Sequence, residues 1–161
     1  MTVAHARWVI SASLMLALII YTVPMPRAFA WFRPELPVVV LMYWVLALPH
    51  TAGVITATLV GICMAILQGN TPGALSLGLV VSVLVLLFTY QRVRQFDIVQ
   101  QSITITLLVG VSLIIERVLL LSAGGVVAEG YVFLAPLPLT LLCWYPVRAI
   151  LRGLRRYYEV R

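Results

Sequence analysis

The sequence predicts an all-α integral membrane protein, a compact bundle of about six transmembrane helices, and three observations predict it. Of 161 residues, 63% are hydrophobic and only 10% charged, and the mean hydropathy is +1.08. A domain folded in water is nearer ~45–50% apolar and ~25% charged, so the soluble-enzyme class is excluded. No Asp, Glu, Lys or Arg occurs from Leu36 to Gln91. Because ~20 apolar helical residues already cross a ~30 Å hydrocarbon layer, that stretch holds two or three crossings folded back on one another. Clusters of Pro, Gly and polar residues then cut the chain into apolar runs of near-spanning length. The whole chain, 1–161, reads as a single transmembrane domain.

The first run covers 8–23, behind His5 and Arg7 and ahead of Pro24, Pro26 and Arg27. A basic start, an apolar core and Ala28-Phe29-Ala30 also fit a secretory signal. The run is longer than the ~7–15 residues of such a core, and an uncleaved first helix is the expectation. The second run, 34–48, places Pro34 where a first helical turn tolerates a missing N–H and stops at Pro49. It is short for a full crossing, so it is expected either in a locally thinned bilayer or as a partial span shielded by its neighbours. The third, 52–67, ends in the turn signal Gln68-Gly69-Asn70-Thr71-Pro72-Gly73. The fourth covers 74–90, and the polar connector from Gln91 to Asp97 leads into the fifth, 98–121, closed by Ser122-Ala123-Gly124-Gly125. The sixth, 131–147, contains Pro136, Pro138 and Pro146 and is expected to bend, its freed carbonyls satisfied by neighbouring helices.

All eleven basic residues are Arg, and the net charge is +6. In a soluble protein that sign points to nucleic acid; here the bilayer explains it, and no nucleic-acid partner is expected. Six crossings put Arg7, Arg92, Arg94, Arg148, Arg152, Arg155, Arg156 and Arg161 on one side, with only Arg27 and Arg33 opposite. The positive-inside rule then places both termini in the cytoplasm. The tail, 148–161, carries Arg148, Arg152, Arg155 and Arg156 on one helical face, a basic amphipathic segment fit to meet anionic lipid. Arg92 and Arg94 join it as candidate cytoplasmic surface contacts.

The strongest internal pattern is a ladder of small residues. Gly53, Ala57, Gly61, Ala65 and Gly69 recur at every fourth position, and Ala74, Gly78 and Ser82 repeat the spacing on the next helix. In lipid, apolar burial does little to associate helices, so close backbone approach over small residues takes its place. The ladder serves either packing of the third helix on the fourth or docking of a separate single-span partner. Glu116 is the other candidate partner contact. An intramembrane charge points to function by default, through snorkelling to the interface or an ion pair to another subunit.

Catalytic chemistry finds no foothold. His5 and His50 stand far apart, the five acids are scattered, there is no Lys, and Cys63 and Cys143 show no metal or redox spacing. No enzyme activity and no cofactor are expected.

The tract Phe32-Arg33-Pro34, then Tyr43-Trp44-Val45-Leu46-Ala47-Leu48-Pro49-His50, then Gly69-Asn70-Thr71-Pro72-Gly73, resembles the MreD family of bacterial rod shape-determining membrane proteins. The likeness runs from about Arg7 to Arg156, and Tyr43, Trp44, Pro49, His50, Pro72 and Gly73 carry its specific part. It departs at Ala65, where the family often has an acid between flanking glycines. The resemblance implies a fold similar to the substrate-binding subunits of energy-coupling-factor transporters. It also implies a non-enzymatic scaffold of side-wall peptidoglycan synthesis in the inner membrane. Its partners would be MreC directly, and MreB, RodA and the penicillin-binding transpeptidase directly or indirectly, with a homodimer as a further expectation. The alternative reading is the substrate-binding membrane subunit of a vitamin-type transporter, with Gln68, Asn70, Thr71, Glu116 and Glu129 to line a polar pocket.

Overall fold

The computed structural model describes residues 2–23, 33–70, 72–124, 130 and 132–157, with the backbone alone for 2–7. Among the described residues six α-helices stand in order: α1 Thr2–Thr22, α2 Leu36–Ala47, α3 Val54–Gln68, α4 Ala74–Val93, α5 Ile98–Ser122 and α6 Pro136–Tyr157. One 3-10 turn, Val132–Leu134, precedes α6, and the described residues contain no strand. Among the described residues three segments, α4, α5 and residues 132–157, are long and apolar enough to cross a membrane; 8–22, α2 and α3 are apolar but shorter.

The shortest helix is the hub. Of α2's residues, Pro37 through Leu46 are buried without interruption, and the helix packs on α1, α3, α4, α5 and α6. A helix that is apolar on every side has no face to offer water and belongs in a core. Because its neighbours enclose it, α2 need not reach across the full hydrocarbon thickness. Pro34 lies before the helix, whose first turn holds Pro37 instead. Trp44 is fully buried, and its indole nitrogen donates to Ser13 Oγ of α1 at 2.8 Å.

Around this hub, α3, α4 and α5 form a tightly packed layer. Gly61 of α3 lies so near α4 that an added Cβ would fall 2.6 Å from Ser76 Cα, and Gly78 of α4 meets the Ser112 carbonyl of α5 at 2.4 Å by the same construction. Ala57 and Ala65 are fully buried. Ser82 Oγ donates to the Leu108 carbonyl at 2.9 Å. Gly69 has a different duty. At φ +72° it closes α3 with paired bonds, Gly69 N–H to Ile66 O at 3.1 Å and Asn70 N–H to Ala65 O at 2.9 Å, a left-handed cap that suits glycine. Gly53 and Ala74 flank the layer at the starts of α3 and α4.

Helix α6 begins at Pro136, later than the run of apolar residues suggests. Prolines 136 and 138 therefore occupy its first turn, where the absent N–H groups are orphans anyway, and only Pro146 is interior. The arginine-bearing residues continue the same helix to Tyr157. Outward faces are apolar: Phe88 is 86% exposed, Ile55 78% and Ile150 67%. Contiguous exposed apolar surface on this scale marks a face made for lipid or protein.

Candidate functional site: two polar ends and a lateral groove

The helices alternate in direction. The ends of α1, α3 and α5 therefore meet the starts of α2 and α6, and side-chain bonds between those elements mark one end of the bundle. Tyr21, at the end of α1, accepts a bond from Gln68 Nε2 at 2.9 Å, and Glu35 lies at the mouth of α2 at the same end of the bundle. Gln68 Oε1 accepts from Asn70 Nδ2 at 3.1 Å, and the same nitrogen lies 3.4 Å from Glu116 Oε1. Hydrogen bonds thus run from Tyr21 through Gln68 and Asn70 to Glu116, and both carboxyl groups at this end are buried, Glu35 at 5% and Glu116 at 7% exposure, with Glu35 Oε2 lacking a partner among the described residues. The Glu35 backbone N–H reaches Thr140 Oγ1 of α6 at 3.5 Å. Arg33 covers this end, its guanidinium 4.2 Å from the Tyr21 ring centroid and donating to the Val23 carbonyl at 3.1 Å. Arg117 stacks on Phe133 at 4.6 Å.

Glu116 is therefore turned into the bundle and engaged with Asn70. The residues named for a polar substrate pocket that the structure describes, Gln68, Asn70 and Glu116, bond to one another. Thr71 and Glu129 lie outside the described residues. Sequence reasoning missed Glu35 and Tyr21 as members of this cluster. The available signal was an acid beside Pro34 at a helix mouth, which reads equally well as an ordinary flanking charge.

The opposite end is basic. Here the end of α2, the α4–α5 turn and the C-terminal half of α6 enclose a cavity of about 240 Å³ lined by Tyr43, Leu46, Ala47, Arg94, Gln101, Trp144, Arg148, Arg152 and Arg155. Gln101 Nε2 caps the Val93 carbonyl at 2.9 Å and so fixes the turn that carries Arg94. Arg156 is exposed and lines a neighbouring cleft, and Arg92 is exposed on the last turn of α4. Of the tail, 158–161 lies outside the described residues. Pro49 and His50 form the exposed turn after α2, and Pro72 and Gly73 form the turn into α4.

Between the two ends, an apolar groove of about 360 Å³ runs along α1, α2 and α6, with Ala12, Leu16, Ile20, Val40, Val147 and Ile150 in its walls. Among the described residues no three His, Cys, Asp or Glu gather as a metal-binding set.

A family model described as rod shape-determining protein MreD matches residues 3–153. The chain belongs to the MreD family. A rod shape-determining protein MreD from Haemophilus influenzae is 30% identical over 95 residues, which is 59% of this chain and 59% of that relative. The match thus spans under two thirds of the relative's length. No solved structure matches the chain. Tyr43 and Trp44 pack edge to face at 5.5 Å in the buried hub, and the Tyr43 ring abuts Trp144 across a 6.5 Å separation. Their first contribution is to hold α2 against α6.

Proposed function

We propose that this protein is a non-enzymatic membrane scaffold of the bacterial cell-elongation machinery, which controls rod shape by binding the single-span protein MreC. Through it the scaffold links the cytoplasmic MreB filaments to RodA and its transpeptidase. The observation that carries this reading is the family match over nearly the whole chain. Gln68, Asn70 and Glu116 at the carboxylate end support it by bonding to one another. On this reading the six helices cross the inner membrane and the basic end faces the cytoplasm, where arginine favours the inner side. The fold likeness to transporter substrate-binding subunits belongs to the same proposal.

The small-residue ladder is occupied by packing between α3, α4 and α5 at Gly61 and Gly78. We place the partner's span in the groove of α1, α2 and α6. Small residues there, Ala12, Ser13 and Ala17, permit close helix approach. The test is co-purification of the full chain with full-length MreC in mild detergent. Ala12→Trp, which fills the groove at an exposed position, should reduce capture at least fivefold. Leu107→Trp, on the exposed face of α5, should leave it unchanged. Equal capture by both variants contradicts the placing.

A further inference from the structure

We propose that the basic end carries a built phosphate-binding pocket, a cavity lined by Arg94, Arg148, Arg152, Arg155 and Trp144. The pocket holds the phosphate of an anionic lipid headgroup or of a free phosphate compound. It lies at the end opposite the buried carboxyls and away from the lateral groove, and it is independent of the scaffold reading.

The donor set dictates the chemistry of the occupant. A guanidinium offers five N–H groups and no acceptor, and an indole offers one N–H and no acceptor. Among the described residues the cavity walls contain four guanidiniums, of which that of Arg155 is already engaged, and one indole, and no carboxylate. Such a wall calls for a ligand rich in acceptors. Planar arginine forks match phosphate oxygens in pairs, a geometry that a lysine point charge does not offer.

Two buried donors beside the cavity are left without a partner among the described residues. Trp144 is 1% exposed, and its Nε1 has no hydrogen-bond partner among the described residues; the same holds for Nη1 of Arg148, also buried. A buried donor without a partner is costly, and native structures rarely keep one unless a water, an ion or a ligand completes it. Trp44, by contrast, spends its indole N–H on Ser13. The two tryptophans flank the same Tyr43 ring, yet one is satisfied inside the fold and the other lines the cavity with the arginines.

Position and size narrow the ligand. Arg148, Arg152 and Arg155 of α6 line the cavity together with Tyr43 and Ala47, so at least three positive charges converge at the end of α2. The cavity, at about 240 Å³, is smaller than the ~300–1,000 Å³ of ordinary organic-ligand sites. It suits a phosphate group with a short substituent. Arginines clustered just beyond an apolar helix are also a recognised setting for lipid headgroups.

The experiment uses the full chain in mixed micelles of phosphatidylglycerol and phosphatidylcholine, with retained lipid counted by native mass spectrometry. The unaltered protein should retain phosphatidylglycerol at least tenfold over phosphatidylcholine. Arg148→Gln combined with Arg152→Gln should abolish that preference. Trp144→Phe keeps an aromatic ring against Tyr43 while removing the unpartnered donor and some buried volume; with folding checked by monodispersity, it should lose about tenfold in retention. Arg92→Gln, outside the cavity, should change nothing. Displacement of the lipid by millimolar inorganic phosphate identifies the bare phosphate group as the ligand; retention undisturbed by phosphate assigns the pocket to lipid. Full retention by Trp144→Phe overturns the proposal, whatever the arginine variant does. So does a loss in Arg92→Gln equal to that of the double variant, which reduces the effect to diffuse surface charge. Retention of both lipids alike, with no binding of phosphate, also overturns it.

Discussion

Gly78→Ala tests the packed layer at its tightest point. A methyl group at this position would stand 2.4 Å from the Ser112 carbonyl oxygen, and the nearest obstructing atoms are all backbone. Ordinary van der Waals contact begins near 3.4 Å, so α4 must retreat by about 1 Å or α5 must yield. Neither helix can do so alone. One turn further along, Leu108 O accepts the Ser82 hydroxyl bond, and Gly61 brings α3 equally close to α4 at Ser76. Overpacking of a close-packed interior costs ~1–3 kcal/mol. Against that, replacing an interior helical glycine by alanine recovers up to ~1 kcal/mol of helix propensity. Gly153→Ala isolates the second effect, because nothing lies within 4 Å of its Cβ position on α6. In detergent, thermal inactivation followed as loss of monodisperse protein should place Gly78→Ala below the unaltered chain and Gly153→Ala level with it or above. The expected gap between the two variants is ~1–3 kcal/mol, the overpacking cost alone, because both gain the same propensity. If Gly78→Ala equals or exceeds Gly153→Ala in stability, the close approach of α4 and α5 does not exist as described.

Three other outcomes rest on particular contacts. Tyr21→Phe removes the hydroxyl that accepts the Gln68 amide bond. Stranding buried polar groups costs ~1–3 kcal/mol, and the double variant Tyr21→Phe with Gln68→Leu should recover part of the loss in the same melting assay. Gly69→Ala forces a side chain into φ +72° and should cost ~1–2 kcal/mol, with helix content by circular dichroism nearly unchanged because the rest of α3 is intact. Ala12→Trp should fold normally yet reduce capture of MreC, so its melting temperature and its co-purification should part company.

The helices are legible in the sequence because each apolar run is punctuated by residues with a local mechanism, such as Pro49, the Gly69–Gly73 turn and Asp97. The start of α6 is not, because the segment from Tyr131 to Ala135 is as apolar as the helix beyond it. Prolines 136 and 138, acting as first-turn residues, fix that boundary. The burial of α2 is foreseeable from its uniform hydrophobicity; its central position is not. The ladder announces close approach without saying to what, since a period-four stripe looks the same whether the facing helix belongs to the chain or to a partner. Glu116 is harder still. Its place along α5 implies an interface, and only the fold of the α3 end onto α5 brings Asn70 beside it. Likewise no local feature distinguishes Trp144, whose indole nitrogen is unpartnered among the described residues, from Trp44, whose nitrogen is satisfied by a residue 31 positions away.

The most direct test is of a six-helix bundle whose basic and carboxylate ends face opposite sides of the membrane. In a chain with Cys63 and Cys143 replaced by serine, single cysteines at His50, Arg94, Pro72 and Gly130 can be labelled with a membrane-impermeant maleimide in intact and permeabilised cells. The bundle predicts labelling at Pro72 and Gly130 in intact cells, and at His50 and Arg94 only after permeabilisation. Labelling of His50 and Pro72 from the same side would contradict it, since α3 could then no longer cross between them.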